Sequence, residues 1–313
     1  MNTRTVLSQS PGFMEKWKKY KKKFPGVKEW YIASDYCLNK DSDKPTKVMT
    51  FTLCPAVDLE RLQNQISHSL KSDIKEHKNF SDSEIQFIRD NEFFFSIVVE
   101  VKKQGSVLED KLKAELDPWI KRIEEESTEE NLTKRLKKFH FLRQYLNQNS
   151  HSTDLVTKII LVSFIIGVII EFLIVKHNAQ KILWISDRGK IIDFDDGLVI
   201  ELSNMNYHNL VKGRTRQEIL FGVAREDTVS KRFNFDPMIR YPDIISGVIS
   251  STDLEKNTSE GGKHFDMFVN AIAGNERISF FILQKGIFKE GYIIDKLKKG
   301  NVILRSSCVK KTP

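Results

Sequence analysis

The segment from Leu155 to Val175 sets the tightest limit on how this chain folds. Its apolar run extends from Ile159 to Ile170, with Lys158 before it and Glu171 after it. A membrane-spanning helix needs about twenty apolar residues, whereas a run of roughly ten to fourteen suits a buried core helix. A carboxylate inside a bilayer would also be costly. The expectation is a core helix covered on most sides, with a membrane anchor as the competing reading. The helix leads directly into Lys181-Ile-Leu-Trp-Ile-Ser-Asp187-Arg188, a short apolar strand that ends in a polar turn. Helix, short loop and buried strand form the second half of an α/β unit.

Further strands are legible from β-branched and aromatic density. Residues 29–38 read as a first strand, and Val48 to Pro55 as its antiparallel partner, halted by the proline. Residues 93–101, FFFSIVVEV, read as a central strand, and residues 277–283 as the last. Between them, Asp58 caps a helix expected to run to about His77. Ser81-Asp-Ser-Glu84 has the spacing of a capping box. Residues 105–149 are highly charged with a helical period, as in a helical insertion laid on the surface. Residues 196–211, 236–252 and 264–274 also read as helices. No repeat or low-complexity linker divides the 313 residues, so one elaborated domain over 29–294 is expected.

Charge is uneven along the chain. Of the net +8, residues 1–28 carry +7 and residues 295–313 carry +5, leaving −4 on the 266 residues between. The N-terminal segment repeats Phe13, Trp17, Tyr20 and Phe24 at helical intervals, interleaved with Lys16, Lys18, Lys19, Lys21, Lys22 and Lys23. The aromatic stripe is expected to dock onto the body. The lysines either grip a phosphate backbone or form a solvated face, and Arg188 is a further candidate nucleic-acid contact. The stretch 295–313 reads as a basic tail. Three cysteines with no paired or metal-ligand spacing, and a first twenty residues without an apolar leader, suggest a cytoplasmic protein. No HExxH, GxSxG or phosphate-binding glycine loop is present, so zinc hydrolase, serine hydrolase and P-loop chemistries are not expected.

The chemically suggestive residues are aspartates: Asp35 within YIASDY, Asp187 within ILWISDR, and Asp243 within RYPDIISGVIS. An unpaired carboxylate is expensive in an apolar strand, so a strand that carries one often binds something with it. If the three converge, with Glu201 as a fourth carboxylate, they form an oxygen-rich site for Mg²⁺ or Mn²⁺, suited to phosphodiester hydrolysis. Each also has a structural reading: Asp35 as a turn cap, Asp187 paired with Arg188, and Asp243 as a helix N-terminal acid.

At these residues the chain resembles a ribonuclease-H-like family, the domain-of-unknown-function family numbered thirty-eight hundred. YIASDY resembles its first-strand motif through Asp35, WISDR its third through Asp187 and Arg188, and YPDIISGVIS its last through Asp243 and Gly247. The resemblance spans residues 30 to 250. It implies an α/β fold with a mixed sheet flanked by helices, and a metal-dependent nuclease or related activity with Asp35, Asp187 and Asp243 catalytic. Members often lie near mobile elements and phage-defence genes. Two departures stand out: Tyr36-Cys37-Leu38 replaces the family's Glu-Ser-Gly, and Arg240-Tyr-Pro242 replaces its Gln-x-Ala. The alternative is therefore a catalytically degenerate binding or scaffold subunit that contacts a protein partner.

Overall fold

In the computed structural model the described residues are 6–38, 44–70, 79–102, 107–126, 130–148, 153–186, 189–211, 235–254, 258–259, 262–285, 287–296 and 302–306. Two helices, α1 (Val6–Gln9) and α2 (Pro11–Lys21), lead into the hairpin of β1 (Glu29–Cys37) and β2 (Val48–Pro55). Helices α3 (Leu59–Ser69) and α4 (Asp82–Asp90) precede β3 (Phe95–Val101). Then come α5 (Val107–Glu126), α6 (Glu130–Gln148) and the long α7 (Thr153–His177). Strand β4 (Lys181–Ser186) is followed by α8 (Lys190–Asp193), α9 (Leu198–Val211) and α10 (Asp236–Ser250). The chain continues through β5 (Thr252–Asp253), β6 (Thr258–Ser259) and α11 (Gly262–Met267), which runs into a π-helical turn over Phe268–Ile272. Strands β7 (Ile278–Gln284), β8 (Ile287–Glu290), β9 (Tyr292–Lys296) and β10 (Val302–Ser306) complete it.

Six strands form one mixed sheet in the order β4-β1-β2-β3-β7-β8. Strand β2 runs antiparallel to both β1 and β3, while β4 is parallel to β1 and β7 is parallel to β3. β1, β3, β4 and β7 therefore start at one end of the sheet and finish at the other. Alternation along each strand divides the core into two layers. Trp30, Ile32, Phe51, Phe95 and Phe281 pack with α2, α7 and α9 on one face, while Ala33, Val48, Val98 and Ile185 pack with α3, α4 and α10 on the other.

The aromatic stripe of α2 docks as expected. Phe13, Trp17 and Tyr20 are buried, with Trp17 meeting Phe95 and Phe172 edge-on at 5.2 and 5.4 Å between ring centroids. Helix α7 is the one helix among the described residues long and apolar enough to cross a membrane, but 78% of that window is buried inside the protein. It packs against the sheet and along α9. The charged stretch forms the α5–α6 pair, whose Leu116, Ile120, Phe139 and Leu142 join the core.

The differences from expectation lie at the C-terminal end. Strands β8, β9 and β10 were not legible, and β10 falls inside the stretch read as a basic tail, paired antiparallel with β9. The described part of α3 ends at Ser69, and the expected continuation toward His77 lies outside the described residues.

Candidate functional site at the end of the first strand

Asp35 is the seventh of nine residues in β1, and only 8% of it is exposed. By alternation it shares the α10-facing side of the sheet with Ala33 and Cys37. Helix α10 crosses this end of the strand. Its residues Asp243, Ser246, Gly247 and Ser250 follow the i, i+3, i+4, i+7 spacing of a single helix face. Ser246 donates its hydroxyl to the Asp35 carbonyl at 3.4 Å, so the turn carrying Asp243 lies against the end of β1. Small side chains on that face allow the close approach. Gly247 and three serines or carboxylates would be poor choices for an apolar contact, and a sequence pattern read only for hydrophobic period passes over them.

Cys37 lies at the centre of the cluster. Its thiol is 3.9 Å from Asp35 Oδ2, and Lys44 Nζ approaches it at 4.0 Å while donating to Ser250 Oγ at 3.0 Å. Burial, above all, and the charges of Asp35 and then Asp243 push the thiol up to about 11, with Lys44 and Ser250 pulling the other way. The thiol is therefore a protonated, inert group at neutral pH rather than a nucleophile. What the cluster offers is oxygen donors and one ammonium group.

The neighbouring strand end is clamped from the opposite face. Tyr36 shares a 2.6 Å hydrogen bond with Ser34 Oγ and accepts one from Ser186 Oγ at 3.1 Å, while Trp184 Nε1 donates to Ser34 Oγ at 2.9 Å. This network ties β1 to β4 in the register that pairs Ser34 with Ser186, the last residue of β4. Asp187 and Arg188 follow and lie outside the described residues.

Of the other expected site residues, Glu201 is not brought to this cluster. It lies on α9, in the layer across the sheet, and is held by Arg135 Nε at 2.6 Å. The lysines of α2 are also elsewhere. Lys16 donates to the carbonyls of Asn275 and Ile278, and Lys21 to those of Phe24 and Val27. Lys19 pairs with Glu276 and Lys23 with Glu92, in the segments entering β7 and β3. That is the end of the sheet where β1 begins, and the six steps from Glu29 to Asp35 span about 20 Å. Lys18 and Lys22 remain exposed, without an ion-pair partner among the described residues.

No protein-family model, curated protein or solved structure matches this chain. Among the described residues no three His, Cys, Asp or Glu side chains gather as a metal-holding group. Sequence reasoning missed Cys37, Lys44 and Ser250 as members of the cluster. The only available signal was the hairpin itself, whose connection returns Lys44 toward the end of β1.

Proposed function

We propose that the chain carries a ribonuclease-H-like core and acts on nucleic acid as a metal-dependent nuclease or related phosphoryl-transfer protein. Asp35 and Asp243 supply two carboxylates, and Asp187, which directly follows the strand clamped to β1, supplies the third. Carboxylates with serine hydroxyls are hard oxygen donors, which suit Mg²⁺ or Mn²⁺ better than zinc or copper. Such a cation, when bound, would polarise a phosphate oxygen and orient a water. The observation that carries the reading is the packing of α10 across the end of β1, with Ser246 on the Asp35 carbonyl one turn from Asp243. The order of elements also agrees with the family resemblance: a first strand with an aspartate, its hairpin partner, a buried helix, a strand leading into Asp-Arg, and a helix with a further aspartate.

Lys44 favours a second reading. Its ammonium group stands beside Cys37 and opposes there the effect of Asp35 and Asp243 on the thiol, as it would in a catalytically degenerate subunit that keeps the fold for contact with a protein partner. A titration separates the two. For the nuclease, Mg²⁺ or Mn²⁺ raises the melting temperature of the wild-type chain, an effect lost in Asp35→Asn and Asp187→Asn. Single-stranded, duplex and hybrid substrates are then cut only with the metal. A flat titration together with intact substrates selects the degenerate subunit. On either reading Lys18 of α2 and Lys22 just after it are open to a phosphate backbone, and Arg188 directly follows Asp187 in sequence.

A further inference from the structure

The second half of α2 and the turn between α7 and β4 meet at the end of the sheet where β1 and β4 begin. Trp17 Nε1 donates to His177 Nε2 at 2.7 Å, and the Lys28 carbonyl accepts from the backbone nitrogens of Gln180 and Lys181 at 2.6 and 3.3 Å. Residues 18–29 and 176–181 are thereby brought together, and between them they hold eight lysines and one carboxylate, Glu29. Lys181 takes that carboxylate at 2.9 Å. Lys19 pairs with Glu276 and Lys23 with Glu92, while Lys21 donates to the carbonyls of Phe24 and Val27. That leaves Lys18, Lys22, Lys28 and Lys176, all exposed and without an ion-pair partner among the described residues. His177, between the two segments, adds no charge at neutral pH, because burial and then the charges of Lys21 and Lys176 hold its imidazole down to about 4. Like charges gathered this way repel one another and draw in a polyanion.

We infer that this surface is an anchoring site for a nucleic-acid backbone, with Lys18, Lys22, Lys28 and Lys176 each meeting a phosphate. The inference rests on the nucleic-acid reading above, needs no bound metal, and gives that reading a contact remote from the carboxylates. Strands β1 and β4 run in parallel from Glu29 and Lys181 toward Asp35 and the end of β4, six residue steps or about 20 Å. A duplex strand carries a phosphate about every 3.4 Å, so the anchor grips the backbone about six nucleotides from Asp35. Asn178 and Gln180, exposed in the α7–β4 turn, are neutral partners for phosphate and sugar oxygens. The chemistry favours a phosphate backbone over a lipid surface. No large apolar side chain of these two segments is exposed, whereas a bilayer-bound surface buries apolar groups at the headgroup boundary.

Fluorescence anisotropy with labelled single-stranded and duplex DNA and RNA, on the full chain without divalent metal and over a range of KCl, tests it. Four phosphate contacts give the logarithm of duplex affinity a slope of about −3.6 against the logarithm of salt concentration. Lys28→Gln/Lys176→Gln should weaken binding alike across sequences and flatten that slope by about 1.8. Lys19→Gln/Lys23→Gln, whose ammonium groups already face carboxylates, should leave the slope unchanged. All four positions are exposed, so both double variants keep the wild-type melting temperature. A wild-type chain that binds, with a Lys28→Gln/Lys176→Gln variant of equal affinity and slope, overturns the inference and leaves the nucleic-acid reading intact. Equal flattening by the two double variants also overturns it. A wild-type chain that binds none of the probes at low salt overturns the nucleic-acid reading and the inference with it. Sedimentation with phosphatidylserine vesicles in that case would assign the patch to a lipid surface.

Discussion

Trp17 donates its indole N–H to His177 Nε2 across 2.7 Å, tying the N-terminal helix α2 to the C-terminal end of α7. The imidazole can accept that bond only while Nε2 is unprotonated. Burial, assisted by the charges of Lys21 and Lys176, pulls His177 down from 6.5 to about 4. The unfolded chain thus binds a proton here between pH 6.5 and 4 that the folded chain refuses. Stability from this site is complete above about pH 6.5, falls as pH drops toward 4, and is level below that. The melting temperature should decline between pH 7 and 5, and His177→Gln, which offers an uncharged acceptor, should flatten that decline. An equal slope in both proteins would remove His177 as its source.

The α7–α9 contact gives a second prediction. A methyl group added at Gly167 would stand 2.9 Å from Asn206 Cβ and 3.3 Å from the Tyr207 backbone nitrogen. Asn206 also donates to Ser163 Oγ at 3.2 Å, so the two helices have little freedom to part. Alanine gains up to about 1 kcal/mol of helix propensity over glycine, but overpacking costs about 1–3 kcal/mol. Gly167→Ala should therefore lose on the order of 1 kcal/mol in urea unfolding. A gain in stability would mean that the helices separate freely.

What could be read from sequence, and what could not, divides by the range of the interactions. Strand β1 and its hairpin partner β2 follow from local composition. The Ser81 capping box follows from a four-residue pattern, and the Glu84 carboxylate indeed accepts from the Ser81 backbone at 2.8 Å. The burial of α7 follows from the length of its apolar run. By contrast, the Lys44–Ser250 bond joins residues 206 positions apart, and the partners of Lys16, Lys19 and Lys23 lie on other elements. A lysine run looks the same whether it faces solvent or caps distant carbonyls. The strands after residue 284 are only four or five residues long, too short for an apolar alternation to stand out among the charged residues around them. Asp35 was singled out because it broke an apolar strand.

The Tyr36 network should be felt in both stability and metal response. Tyr36→Phe removes the bonds to Ser34 and Ser186, both buried, although Ser34 keeps the Trp184 indole. Leaving Ser186 unsatisfied should cost about 1–3 kcal/mol in chemical denaturation. Because Ser186 directly precedes Asp187, the same variant should also weaken the Mn²⁺-dependent rise in melting temperature. A full-sized metal response in a destabilised Tyr36→Phe protein would show that the clamp does not orient Asp187.

Cys37 can report on the charges around it without any ligand. Its thiol, held at about 11, is raised chiefly by burial and then by Asp35, with a smaller push from Asp243 and an opposing pull from Lys44. Asp35→Asn should move the pH profile of Cys37 alkylation to lower pH, because the thiolate no longer faces that negative charge. Asp243→Asn should move it the same way by less, and Lys44→Met should move it upward. Iodoacetamide labelling followed by peptide mass spectrometry reads Cys37 separately from Cys54, which is more deeply buried. If Asp243→Asn leaves the profile where it was, α10 does not bring its carboxylate into the field of β1. Asp35 and Asp243 would then have no common site to occupy.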